Sequence, residues 1–151
     1  MFTILVLVLA AQPAEAGIKL DPLMEKLVAP NPKDSELLKI QKERTLERAI
    51  YFEKSKMVID AGRWNANFFG DYIKEVRLLW ENLAELTTRP EDKVKCYEMR
   101  LEAAKEFEKF IRSRVEVGSD PSQYLNVAKA ARLDAEVDLI KLKEAVIKPA
   151  K

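Results

Sequence analysis

Histidine is absent from the 151 residues. Its absence removes Ser-His-Asp and Cys-His relays, histidine metal ligands and the H-E-x-x-H zinc helix. Glycine is scarce: four residues, scattered, leave no Gly-rich loop to cradle a phosphate. Cysteine occurs once, at Cys96, so no intrachain disulfide can form and packing must hold the fold. On a helix such a residue reads as a small buried hydrophobe, the alternative being a bridge to another chain. An excess of one charge is also lacking, with 26 Lys+Arg against 25 Asp+Glu. That balance gives no bulk electrostatic reason to bind nucleic acid or an anionic membrane.

No catalytic constellation takes the place of the missing histidines. The serines have neither a base nor a nucleophile elbow. Asp134 and Asp138 lie one helical turn apart and could share a divalent cation, but no further oxygen ligands cluster with them. With Lys141 nearby they read as a solvated face. The expectation is a protein that is not an enzyme, with no catalytic residue, cofactor or metal site.

What is present is 48% hydrophobic and 34% charged residues, in a length suited to one domain with a real core. Phe2 to Ala11 is an almost unbroken apolar run, followed by Ala14-Glu15-Ala16 and Gly17. A short apolar stretch ending in A-x-A is the pattern of a secretory signal peptide, and the run is about half of what a helix needs to span a bilayer. Cleavage after Ala16 is expected, giving a periplasmic or secreted protein with no integral membrane span in its mature form. Residues 17–33 carry Pro22, Pro30 and Pro32 and read as an extended linker or strap.

Residues 34–148 read as an all-α domain. Asp34-Ser35 can cap a first helix. Ala61-Gly62-Arg63-Trp64-Asn65 closes it and caps a second, Thr88-Arg89-Pro90-Glu91 fits a capping box, and Gly118-Ser119-Asp120-Pro121 ends one helix and starts the next. The predicted helices are 34–60, 65–87, 90–117 and 121–146. Phe69, Ile73, Val76, Trp80, Leu83 and Leu86 recur on one face of the second; Val94, Tyr97, Leu101, Ala104, Phe107, Ile111 and Val115 do so in the third. The last helix carries two seams: Tyr124, Ala128, Ala131, Ala135 and Leu142, and separately Leu133, Val137 and Ile140. Two seams predict a helix touched on two sides, as in a bundle or coiled coil. Exposed pairs such as Glu102–Lys105 and Glu108–Arg112 keep the surface soluble, each contributing about 0.2–0.5 kcal/mol.

The chain also repeats at the spacing of Gly62 and Gly118: Arg44 aligns with Arg100, Ile59 with Val115, Asp60 with Glu116, Phe68 with Tyr124. A helical hairpin used twice, threaded as an up-down antiparallel bundle, puts both glycine loops at one end and the Thr87–Asp92 turn at the other.

The stretch Arg114-Val115-Glu116-Val117-Gly118-Ser119-Asp120-Pro121 and the Ala/Leu/Glu-rich helix that follows, to Glu136, resemble the outer-membrane efflux (TolC-like) family. The resemblance implies a glycine turn between long helices at a periplasmic tip, where an adaptor protein docks. It does not extend to the membrane barrel, since the sequence shows no alternating strands. A detached, TolC-like tip hairpin is implied, without channel activity. Aromatic and polar residues beside the turns are then the candidate partner-binding residues: Trp64, Asn65, Phe68, Ser119, Asp120 and Tyr124. The leading expectation is an exported non-enzymatic helical protein acting through protein–protein contacts in the cell envelope, with a protein partner or by self-association. The alternatives are a periplasmic stress-response or chaperone-like helical protein, and an unrecognised enzyme or lipid carrier.

Overall fold

The computed structural model describes residues 18–147, so the predicted signal peptide at 1–16 lies outside the described residues. Five α-helices follow in order: α1 Pro22–Val28, α2 Glu36–Asp60, α3 Phe69–Glu85, α4 Pro90–Glu116 and α5 Ser122–Ile147, with a 3-10 turn Ala66–Phe68 leading into α3. The fold is all-α and no strand occurs among the described residues. The helix ends fall within a few residues of the sequence reading.

The first difference lies in the segment read as an extended linker. Asp21 accepts a hydrogen bond from the Leu23 N–H at 2.8 Å and Pro22 occupies the first turn, so α1 is a capped helix of 7 residues. Leu23, Met24, Leu27 and Val28 are buried in the common core. Lys26 Nζ reaches Asp92 at 2.8 Å, fastening α1 to the start of α4. Pro22 is a helix starter here, not a breaker. The second difference is the predicted capping box. Arg89 is the N-cap of α4 and makes no side-chain cap bond. Glu91 instead binds the Arg89 guanidinium at 2.7 Å, and the Thr87 hydroxyl accepts from the Arg89 N–H at 3.1 Å.

The repeat is visible as hydrogen bonds. Gly62 and Gly118 have φ of 67° and 71°, the left-handed conformation in which only glycine avoids a Cβ penalty. Gly62 N–H donates to Ile59 at 2.9 Å and Arg63 N–H to Val58 at 3.0 Å; Gly118 N–H donates to Val115 at 3.0 Å and Ser119 N–H to Arg114 at 2.8 Å. These are two copies of one Schellman motif. The next bond repeats as well: Phe68 N–H to Asn65 and Tyr124 N–H to Pro121, both at 3.0 Å.

Each long helix packs chiefly on the one before it: α2 on α3, α3 on α4 and α4 on α5, the last pair most extensively. Leu79, Trp80 and Leu83 of α3, with Ile111 and Cys96 of α4, are fully buried. Burial of one such aliphatic side chain contributes about 1.5–3 kcal/mol. Because α4 lies between α3 and α5, its buried line runs through Cys96, Arg100, Ala103, Phe107 and Ile111, with the predicted Tyr97, Leu101 and Ala104 half-buried beside it. Arg100 survives in that line because its guanidinium binds Asp138 of α5 at 2.8 Å. Between α2 and α3, Arg48 binds Glu75 at 2.9 Å and Asn82 at 2.6 Å. Between α4 and α5, Glu108 accepts from Arg112 and Arg132, each at 2.7 Å.

Candidate functional site

Antiparallel threading does bring the two glycine corners together. Phe69 at the start of α3 stacks on Tyr124 at the start of α5, with ring centroids 4.5 Å apart at 18°. The six candidate residues meet there but do not share one surface. Trp64 is a core residue, 8% exposed, with edge-on contacts to Tyr72, Phe107 and Phe110 at 5.8, 5.3 and 5.8 Å. It lies between α3 and α4, where its area is removed from water, so it is not the presented anchor expected from its place in a loop. Asp120 is likewise turned inward, its side chain 4% exposed and bound by the Arg114 guanidinium. That guanidinium also stands over the Phe110 ring at 5.7 Å. Tyr124 is half-buried by its stacking. Asn65 caps the 3-10 turn, accepting from the Asn67 N–H at 2.9 Å.

What remains presented at this end is Asn65, Ser119 and Phe68, the last 52% exposed, joined by Val117 at 75%. Val117 escaped the sequence reading. Its signal is an apolar residue at the C-cap directly before a left-handed glycine, where the chain has already left the packed face.

The acidic pair on α5 does not converge on a common point. Asp138 is engaged by Arg100, while Asp134 borders a groove between α3, α4 and α5. That groove has a volume of about 250 Å³, an alanine-rich floor including Ala103 and Ala128, and Lys74 and Arg77 among its lining. Cys96 is buried with its thiol free, and burial pushes its pKa up to about 12, which keeps it protonated and unreactive at neutral pH.

A second apolar surface lies on α5. In α5, Ala128 and Ala135 of the first seam are buried on the side packed against α4, joined by Leu139, which that seam did not include. The second seam, Leu133, Val137 and Ile140, lies away from the buried face of α5 and is 44%, 46% and 52% exposed. The expectation that the second seam of α5 is packed as well is corrected: α5 packs on α4 and lightly on α3, and Leu133, Val137 and Ile140 stay exposed. Charged residues flank the seam. Asp134 and Lys141 lie along one edge and Glu136 and Lys143 along the other. Glu136 binds Arg132 at 2.8 Å and Lys143 binds Glu98 at 2.7 Å, whereas Asp134 and Lys141 have no ion pair among the described residues.

No family model, curated protein or solved structure matches this chain. Among the described residues there is no cluster of three or more acidic or sulfur groups able to hold a metal, and no helix long and apolar enough to cross a membrane.

Proposed function

We propose that this chain is an exported, non-enzymatic helical interaction module that works through protein–protein contacts in the cell envelope, with the outward seam of α5 as its binding surface. The observation that carries the proposal is the row Leu133, Val137 and Ile140, half-exposed on successive turns of a helix whose opposite face is already packed. Apolar residues aligned on one helix face and rimmed by charge are the usual form of a helix-docking surface. Export is supported by the apolar run before Ala14-Glu15-Ala16.

Val137→Glu tests the surface. The side chain is exposed, so the variant should keep its circular dichroism and melting temperature while losing capture of its partner from envelope extract. Capture at the level of the unaltered chain would remove α5 as the surface. N-terminal sequencing of the protein from the envelope should begin at Gly17, and a retained Met1 would overturn export.

A second reading places the contact at the glycine corners, as kinship with the efflux hairpins would. Phe68 and Val117 favour it, since both are apolar and exposed there. Phe68→Ser combined with Val117→Ser separates the two surfaces, because it should spare binding if α5 is used and abolish it if the corner is used. A lipid carrier has less support: the groove between α3, α4 and α5, of about 250 Å³, and the shallow apolar hollow of about 510 Å³ lined by Phe69, Ile73, Tyr124 and Val127 both open to solvent, and neither encloses a ligand.

A further inference from the structure

We infer that the α5 seam pairs with the same seam of a second copy of this chain, the two α5 helices running antiparallel about a two-fold axis between Asp138 and Leu139. This rests on the reading of the seam as a contact surface and names its occupant. The spacing Asn126, Ala130, Leu133, Val137, Ile140, Glu144 alternates four- and three-residue steps, the a/d pattern of a coiled coil. Asp134 and Lys141 then fall at e positions, and Glu136 and Lys143 at g positions.

Charge complementarity selects both occupant and register. With the axis at that point, Val137 of each copy packs on Ile140 of the other, and Leu133 packs along the stem of Glu144. Each Asp134 then faces Lys141 of the second copy, and each Glu136 faces Lys143 of the second copy. By symmetry this makes four attractive pairs. Moving the axis by half a heptad sets Asp134 against Asp134, Glu136 against Glu136 and Lys129 against Lys143, all repulsive. A parallel pair also matches opposite charges, Lys129 with Asp134 and Glu136 with Lys141, but it places Glu144 against Glu144 inside the seam. Like charges at a seam position are costly. Of these three arrangements only the first matches opposite charges on both flanks without setting Glu144 against Glu144.

The edge formed by Asp134 and Lys141 gives the cleaner test, since neither residue has an intrachain ion pair among the described residues. The purified chain, as the cell leaves it, should sediment as a concentration-dependent dimer. Asp134→Lys and Lys141→Asp should each weaken dimerisation by about tenfold or more, because each makes two facing pairs repulsive. Both changes are exposed, and circular dichroism should be unaltered. An equimolar mixture of the two variants should recover the dimer, since Lys at 134 of one copy then meets Asp at 141 of the other on both edges. In a parallel pair the mixture keeps two repulsive contacts and recovers nothing. Failure of the mixture to recover overturns the antiparallel register. A chain that stays monomeric at hundreds of micromolar overturns self-pairing, and the seam itself is then judged separately by whether Val137→Glu loses its envelope partner.

Discussion

Trp64 shows how far a residue's place in the sequence can mislead about its place in the fold. It stands between a turn-closing glycine and a capping asparagine, which is loop chemistry, yet three rings enclose it. Nothing local in the sequence says that Phe107 and Phe110, more than forty residues on, will arrive there. Trp64→Ala should therefore cost about 3–5 kcal/mol and lower the melting temperature by roughly 10–20 °C, as judged by thermal denaturation. Trp64→Phe should cost less, because the indole N–H that it gives up has no hydrogen-bond partner among the described residues. Glu53 behaves in the opposite sense. Burial raises its pKa above the ordinary 4.5, helped by the nearby Asp21 charge and opposed by Lys56. A carboxyl whose folded pKa is raised weakens the fold once it ionises, so Glu53→Gln should raise the melting temperature at neutral pH. The gain should vanish below about pH 4, where the carboxyl is protonated in both states.

Helix boundaries were the most legible elements, because caps and turn residues act over three or four positions. The Schellman corners show this best. A Cβ at Gly62 or Gly118 would meet no atom within 4 Å, so substitution there brings backbone strain without a clash. Gly62→Ala and Gly118→Ala should each destabilise by about 1–2 kcal/mol, and by similar amounts because the motif is the same. Gly70, in the first turn of α3 and equally open, should instead gain about 0.5 kcal/mol on substitution by Ala. Chemical denaturation of the three variants checks both signs. α1 was illegible for a different reason. Seven residues are too few to show a helical period, although Asp21-Pro22 repeats the Asp-Pro pair that stands at 120–121 before α5. Its burial predicts that Met24→Ala, at a side chain only 1% exposed, costs about 2–5 kcal/mol.

On the scale of the whole molecule, the two seams of α5 could be read from the sequence but their fates could not. Periodicity reports which faces are apolar. It does not report which of them another helix will cover. The missing histidines set the molecule's response to pH: no side chain with an ordinary pKa near neutrality is available to change the balance there. In acid the ties between elements come into play. A hydrogen bond from Lys26 lowers the pKa of Asp92, and one from Lys42 lowers that of Asp34. Partial burial would raise Glu108, but hydrogen bonds from Arg132 and Arg112 outweigh it and bring it down. Carboxyls lowered in the folded state contribute stability that is present above their unfolded pKa and lost as pH falls through the folded value. Urea midpoints should be flat between about pH 5 and 8 and fall below about pH 4, where α1 and the α4–α5 tie lose their charge partners. A pronounced midpoint change near pH 6.5 would contradict this account.

The open side of α5 has a further consequence when the two glycine corners are taken as units of a series. The same bonded turn closes each hairpin, α2 to α3 at Gly62 and α4 to α5 at Gly118, and the second hairpin is laid against the first through α3 and α4. In arrays of stacked repeats the outermost unit turns a polar face to solvent as a cap. α5 carries Leu133, Val137 and Ile140 outward, so its free face has the apolar character of an inner face of such an array and not of a cap.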